Sequence, residues 1–210
     1  GATGALGHDL LEQVLADSRY DRVDAFVRRP LDISHNKLSV HVIDFEKPDV
    51  WRPLVQGDSD SVLFSCLGTT LKQAGGQKPQ WRVDHDYQLE FAQAAVENGV
   101  GEYALVSSMG ANARSMNFYM RMKGTLEEEV KALPYRHITI VQPPSLIRKN
   151  SNRWAETVSV RILQSLNRIG LLRSVSPMPT EEVAACMLRH VGNGKTGVEV
   201  ITNQEIKNKK

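Results

Sequence analysis

The sequence predicts an α/β fold, a doubly wound parallel sheet with helices on both faces and a small C-terminal elaboration. Short apolar runs alternate with longer segments of helical periodicity along the 210 residues, which is the order of elements in such folds. The apolar runs are rich in Val and Ile and alternate only weakly with polar residues, as in strands that helices cover on both faces. A glycine-rich stretch, GATGALG, stands directly before the first helical segment.

Six apolar runs are predicted as strands and three amphipathic segments as helices. The strands cover residues 22–27, 38–45, 61–68, 103–108, 137–141 and 197–202. One helix follows the glycines, a second contains the stripe from Val83 to Ala95, and a third runs from about Phe118 to Leu133. Strands joined through helices form a parallel sheet with right-handed crossovers. We therefore expect one domain over residues 1–210, with residues 143–196 as its substrate-side segment.

Composition and charge are those of an ordinary globular protein. Hydrophobic residues make up 41% and charged residues 24%, and the formal net charge is +2. This balance does not predict nucleic-acid binding, and no apolar run approaches the roughly 18 residues that span a bilayer. Cys66 and Cys186 show neither a disulfide framework nor a metal-ligand spacing, which fits a reducing compartment. We expect a cytoplasmic protein without nucleic-acid, membrane or metal partners, while a homodimer or a protein partner stays open.

The glycine loop at residues 1–7 is a candidate dinucleotide site. Its three glycines permit a tight turn and a close approach of the backbone to a pyrophosphate, and the helix behind them supplies free N–H groups. The alternative is a tight strand–helix turn that holds no ligand. Such a loop is normally fed by a central strand, so we expect about five to eight apolar residues upstream of Gly1. The candidate cofactor contacts here are Gly1, Ala2, Thr3, Gly4, Ala5, Leu6 and Gly7.

Two arginines follow the next strand along the chain. Arg28 and Arg29 stand where a dinucleotide fold places the adenine ribose, and guanidinium groups there can bind the 2′-phosphate of NADP. They therefore predict NADP(H) as the cofactor; the alternative is an ordinary exposed basic strand end. One strand later, Asp44 and Phe45 could border the adenine ring, or they are a capping Asp beside a Phe that packs in the core.

The stretch CLGTT, residues 66–70, ends the strand after that. Gly68 would let the backbone pass close to the cofactor, and the hydroxyl group of Thr69 can bond ribose or phosphate. Cys66 could be considered as a nucleophile. A Cys inside an apolar strand is more often an inert buried residue, and this is what we expect for Cys66.

Tyr119 and Lys123 are the candidate catalytic pair. They are four residues apart and therefore lie on one face of a helix. An ammonium group beside a phenol stabilises the phenolate, and the same Lys can bond the nicotinamide ribose. Ser107 and Ser108 close the preceding strand, where a hydroxyl group can bond a substrate carbonyl. The alternative is a Tyr and a Lys on an exposed helix face.

The order of these motifs resembles the short-chain dehydrogenase/reductase superfamily in its atypical branch. More closely, GATGALG, RRP, DF, CLGTT, VDHDY, SSMGANA and YMRMKGTLEEEV are similar to the Tat-interacting protein family and its small bacterial NAD(P)-binding relatives. The similarity covers nearly the whole chain. It implies cofactor contacts along residues 1–7 and at Arg28, Arg29, Leu67 and Gly68, with Tyr119 as the catalytic residue and Lys123 as its partner.

One loop departs from the family pattern. Such proteins usually have Arg-Pro after the sixth strand, whereas this chain has Gln142-Pro143-Pro144-Ser145-Leu146. From this loop the resemblance therefore carries over only Leu146 as a cofactor contact.

Several polar and aromatic residues are not assigned to the site. Asp84, His85 and Asp86 are adjacent on a helix, so their side chains point apart and cannot chelate a metal together. We expect either a solvated face or a contact between the helix and a loop. Arg153 could meet a cofactor phosphate, and Trp154 could border the substrate pocket or anchor the core.

These observations favour an NADP(H)-binding oxidoreductase that acts on a small carbonyl or alcohol substrate. The alternative is an NADPH-binding regulatory or scaffold protein without turnover, whose nucleotide state alters a partner interface. An epimerase that holds NAD tightly is disfavoured by Arg28 and Arg29.

Overall fold

The computed structural model describes residues 1–147 and 177–208, and it has the expected architecture of a parallel sheet with helices on both faces. The strands in these ranges are β1 (Val23–Val27), β2 (Leu38–Val42), β3 (Val62–Ser65), β4 (Glu102–Val106), β5 (His137–Gln142), β6 (Leu146–Ile147), β7 (Met178–Pro179) and β8 (Gly197–Thr202). The helices are α1 (Ala5–Ala16), α2 (Pro48–Trp51), α3 (Leu71–Ala74), α4 (Gln77–Trp81), α5 (Tyr87–Glu97), α6 (Phe118–Lys131), α7 (Thr180–Arg189) and α8 (Asn203–Lys207). A single 3₁₀ turn (Arg52–Leu54) follows α2, and a π-helical turn (Arg82–Asp86) joins α4 to α5.

All strand pairs in the described residues are parallel. β1 pairs with β2, and β3, β4, β5 and β8 are hydrogen-bonded in that order. β6 and β7 form a separate short pair. Because parallel strands end at the same edge, the loops that follow β1, β3 and β4 gather there. These are the loops in which the sequence places the candidate site.

Alternate residues of β4 show how the sheet is covered. Tyr103 and Leu105 belong to a buried cluster with α5 and α6, whereas Ala104 and Val106 belong to a second cluster with α1 and α7. All five residues of β4 are buried. Burial on both faces explains why the strand reads as a continuous apolar run.

A cavity of about 610 Å³ lies between β1 and β3. Residues of both strands line it together with apolar side chains of α1 and α5, and within the described ranges no backbone hydrogen bond joins the two strands. The cavity adjoins Gly1 and lies where a strand leading into the glycine loop would pair. The strand expected upstream of Gly1 stays a prediction.

Several element boundaries differ from the sequence prediction, those of β2, β3 and the second helix among them. β2 ends at Val42 rather than at residue 45, because the backbone turns there and Phe45 packs into the core against Trp51. The second predicted helix is divided, since a π turn at Arg82–Asp86 interrupts its α-helical geometry. In the part of the chain described, no helix is long and apolar enough to cross a membrane.

Candidate functional site

The glycine loop folds against the end of β3. The Gly4 amide donates to the Gly1 carbonyl at 2.9 Å, and α1 begins at the next residue. A methyl group at Gly7 would overlap the Gly1 carbonyl, with only 2.6 Å to its carbon. A methyl group at Gly1 would overlap the backbone of Cys66 and lie 2.8 Å from the Leu67 nitrogen. Two of the three glycines are therefore required for this packing, which brings the N-terminus of α1 to the carboxyl edge of the sheet.

The two arginines after β1 are exposed at the same edge. Asp44 is exposed as well, and its carboxylate accepts from the Glu46 amide at 3.0 Å. The ring of Phe45 is buried among Trp51, Tyr87 and Phe91, so the expected packing alternative holds for this side chain.

The loop after β3 is held by polar contacts from the π turn and α4. The Thr69 amide donates to the Asp84 carboxylate at 2.9 Å, and the Gln80 side chain donates to the Thr69 carbonyl at 3.2 Å. Gly68 is exposed, while Leu67 is half-buried and packs against the core. Burial raises the pKa of the Cys66 thiol to about 11, as expected for an inert cysteine.

Tyr119 and Lys123 occupy one face of α6, whose N-terminus is capped by Asn117. Lys123 is 3% exposed, and its Nζ donates to the Val106 carbonyl at 3.1 Å. Tyr119 is half-buried. Burial raises the pKa of Tyr119 and the nearby Asp84 raises it further, while a hydrogen bond with Ser108 lowers it. That Lys123 lowers this pKa, as the sequence argument expects, stays a prediction.

The two serines after β4 have different surroundings. The Ser107 hydroxyl is buried and donates to the Glu127 carboxylate, which also accepts from Gln142 at 2.9 and 3.1 Å. Ser108 is half-buried; its hydroxyl donates to the Met109 carbonyl at 3.5 Å, and it lies near enough to Tyr119 to lower the pKa of the phenol. The buried Ser107 is therefore committed to Glu127, whereas Ser108 lies on the side of Tyr119.

Asp84 is the part of this arrangement that the sequence analysis missed. The expected solvated face is wrong for Asp84 and His85, since both are buried and only Asp86 is partly exposed. The other expectation, a contact between the helix and a loop, holds for Asp84, whose carboxylate accepts from the Thr69 amide. Asp84 lies three residues before Tyr87 and four before Gln88, which are both buried. Extending the apolar stripe of this helix towards its N-terminus would therefore have placed Asp84 on the buried face.

The structure places Leu146 in β6, 38% exposed. Arg153 and Trp154 lie outside the described residues.

A second cavity, of about 450 Å³, opens beside Tyr119. Residues of the loop after β3 and the ends of α3, α4 and α6 line it: Thr69, Thr70, Leu71, Gln77, Gln80, Asn117, Phe118 and Tyr119. All of these side chains are uncharged. The phenol therefore faces a space bounded by hydroxyl, amide and apolar groups.

The fold and the glycine loop define an NAD(P)-binding Rossmann protein of oxidoreductase type. The chain belongs to the family described as NAD(P)H-binding, which matches residues 1–193. Protein HTATIP2 of Rattus norvegicus is 32% identical over 211 residues, 98% of this chain and 85% of that protein. Protein FMP52, mitochondrial, of Saccharomyces cerevisiae is 37% identical over 153 residues, 72% of this chain and 66% of that protein. The resemblance found in the sequence is confirmed.

The chain spans less than two thirds of two FMP52 relatives. It covers 66% of the S. cerevisiae protein and 62% of the Candida glabrata protein. The names of both proteins describe them as mitochondrial. The expectation of a cytoplasmic protein is therefore wrong by comparison with these relatives.

Solved structures confirm the fold. MoeE5 in complex with UDP-glucose and NAD superposes with a TM-score of 0.73 at 15% identity, covering 96% of this chain and 73% of that one. The oxidoreductase ylbE from Lactococcus lactis superposes with a TM-score of 0.64 at 16% identity, covering 100% and 94%. At this identity the likeness shows the fold alone.

Proposed function

We propose that this chain is an NADP(H)-dependent oxidoreductase that reduces a small neutral carbonyl compound to an alcohol. The observation that carries the proposal is the position of the Tyr119 phenol. It lies beside Ser108, on the same helix face as the buried Lys123, and opens into a cavity at the edge where the glycine loop lies. This is the arrangement of a proton donor, a carbonyl-binding hydroxyl and a cationic partner.

The residues at this edge fit a dinucleotide. The glycine loop and the N-terminus of α1 would hold the pyrophosphate, Arg28 and Arg29 the 2′-phosphate, and Thr69 and Lys123 the nicotinamide side. Bound NADPH would supply the hydride. Tyr119 would donate its proton to the carbonyl oxygen, to which Ser108 would also donate a hydrogen bond. Because burial and Asp84 raise the pKa of Tyr119, the phenol is protonated at neutral pH, which favours carbonyl reduction.

The lining of the cavity favours a neutral substrate. Among the described residues, none of the eight side chains that line it carries a charge that would compensate for the desolvation of a carboxylate or phosphate. Amide and hydroxyl groups can orient a polar substituent, while Leu71 and Phe118 offer apolar contact. We therefore expect neutral aldehydes, ketones or quinones to be better substrates than their carboxylated counterparts.

The first test is a calorimetric titration with NADPH and NADH, followed by a substrate panel. We expect NADPH to bind at least about tenfold more tightly than NADH, or 1.4 kcal/mol, and to be consumed with a neutral carbonyl compound. Tight binding without consumption by any aldehyde, ketone or quinone would instead support the regulatory alternative. Failure to bind either nucleotide would contradict both.

The preference for NADPH should depend on the two exposed arginines. We expect the double substitution Arg28→Ala and Arg29→Ala to remove the preference of about tenfold, since the 2′-phosphate loses its guanidinium partners while NADH keeps its contacts. Calorimetry on both nucleotides measures this. The control is Arg189→Ala, which removes an exposed arginine from the last turn of α7. A preference that survives the double substitution would exclude these arginines as its source.

The two serines should give opposite results when each is changed to alanine. We expect Ser108→Ala to lower kcat/KM by about 10- to 10³-fold, because it removes a donor to the developing oxyanion. Ser107→Ala should instead lower the free energy of unfolding by about 1–3 kcal/mol, because it removes a hydrogen bond to the buried Glu127. Steady-state kinetics and urea denaturation of both variants distinguish the catalytic role from the structural one. A kinetic defect confined to Ser107→Ala would reverse the assignment.

A further inference from the structure

Asp84 is a buried acid between the loop after β3 and the catalytic face of α6. Its side chain is 2% exposed, and one carboxylate oxygen accepts from the Thr69 amide at 2.9 Å. It lies in the π turn, a geometry that redirects the side chains of one helical turn and is frequent at functional sites. The neighbouring side chains of this turn are engaged elsewhere: Asp86 lies beside Arg82 and His85, and His85 lies 3.1 Å from Glu129. Asp84 alone among these acids is directed to the site.

Lys123 is a buried ammonium group whose charge has to be balanced. Burial lowers its pKa, and three groups oppose this effect: Asp84 from the π turn first, then Glu127 on α6 and Cys66 at the end of β3. Glu127 already accepts from Ser107 and Gln142 and lies 3.7 Å from Lys131. The Cys66 thiol is uncharged at neutral pH because its pKa is raised to about 11. Geometry places Asp84 on the same side of α6, because Thr69, whose amide donates to Asp84, lines one cavity with Tyr119, one helical turn before Lys123. Asp84 is therefore the acid that is left to balance the charge of Lys123.

We propose that Asp84 is a positioning residue that provides the counter-charge of Lys123 and, through the Thr69 amide, ties the cofactor-side loop to the catalytic helix. One carboxylate would thus maintain both the charge behind Tyr119 and the course of the loop at Thr69. The consequence for catalysis rests on the proposed function, whereas the electrostatic coupling of Asp84 and Lys123 does not.

The state of Asp84 at neutral pH supports this role. Burial raises the pKa of Asp84 to about 6, while Lys123 and the Thr69 amide oppose the rise. Asp84 is therefore mostly ionised at pH 7 and becomes neutral as the pH falls through about 6. The charged or titratable groups that interact with it are Lys123 and Tyr119, both on α6.

The coupling can be measured without turnover. In the nucleotide-free full chain, the titration of Lys123 is followed by NMR of ¹³C-labelled lysine, with the signal assigned by its loss in Lys123→Arg. We expect Asp84→Asn to lower the pKa of Lys123 by about one pH unit or more, as for removal of a close opposite charge. Asn keeps an oxygen acceptor for the Thr69 amide, so the substitution changes the charge and preserves the hydrogen bond. An unchanged pKa of Lys123 would overturn the proposal.

A matched control and a reciprocal variant complete the test. Asp86→Asn removes a carboxylate two residues away in the same π turn, and we expect it to leave the pKa of Lys123 unchanged. If Asp84→Asn does not fold, Lys123→Met serves instead: the pKa of Asp84, followed through its ¹³Cγ signal, should rise above about 6 when the ammonium is lost. An Asp84 titration that Lys123→Met does not move would also overturn the proposal. Failure of the chain to bind or consume NADPH would contradict the proposed function and leave this coupling intact.

Discussion

Replacing Tyr119 with phenylalanine is expected to lower kcat for carbonyl reduction by about 10²- to 10⁴-fold, the usual contribution of a positioned acid or base. The substitution removes the phenolic oxygen and keeps the ring, so the packing of Tyr119 at the start of α6 is preserved. NADPH affinity should not change, because the proposed nucleotide contacts lie in the glycine loop, the arginines, Thr69 and Lys123. Single-turnover kinetics with bound NADPH measure the chemical step, and calorimetry measures the affinity.

Tyr20→Phe is the matched control for this experiment. Tyr20 follows α1 at the end away from the glycine loop, and its buried hydroxyl has no hydrogen-bond partner among the described residues. We expect its removal to leave turnover unchanged. Equal loss of turnover and of NADPH affinity in Tyr119→Phe would contradict the role of proton donor. It would show that the residue supports nucleotide binding or the local fold.

The second large effect is expected at Gly7. A methyl group there overlaps the Gly1 carbonyl, and the overlap is with backbone rather than with a flexible side chain. Either α1 or the loop has to move, so we expect Gly7→Ala to lower the free energy of unfolding by about 1–3 kcal/mol. NADPH affinity should fall at least about tenfold, or 1.4 kcal/mol, because the loop amides lose their alignment with the helix. Thermal denaturation and calorimetry measure the two effects.

Gly4→Ala provides the comparison within the same loop. Its added methyl group would lie 3.3 Å from the Gly1 oxygen, which asks for a shift of only a few tenths of an ångström. The loss of stability should therefore be clearly smaller than for Gly7→Ala. Equal melting temperatures for the two variants would mean that the loop relaxes freely and that the close packing of Gly7 is unimportant.

The fold could be predicted from the sequence because its signals are local. The apolar run that ends at Thr202 has the same bounds as β8, and the glycines, the arginines and the YxxxK pair all lie at one edge of the sheet, as parallel topology requires. The ends of β2 and β3 were overestimated by three residues each, because an apolar run continues where the backbone leaves the sheet. An apolar pattern indicates which residues are buried, and residues of a strand and of a buried loop produce the same pattern.

The individual residues of the candidate site stand out in the sequence, whereas their contacts do not. Adjacent residues such as Ser107 and Ser108 have different surroundings, which depend on how α6 packs on β4. For Asp84 the sequence left a solvated face and a contact with a loop open, although its spacing from Tyr87 and Gln88 indicated the buried face. The raised pKa of Tyr119 follows from burial and from Asp84, which lies 35 positions away in the chain, so no local pattern could reveal it.

The condition of the two cysteines has a practical use. Burial raises the pKa of Cys66 to about 11 and also raises that of Cys186, which is buried. Thiolates are the reactive form, so both native cysteines react slowly with alkylating reagents at neutral pH. A cysteine introduced at the exposed Asp32, in the loop that follows the two arginines, is then the preferred target of a maleimide dye. The edge of the glycine loop can thus carry a fluorescent reporter of ligand binding without a cysteine-free background.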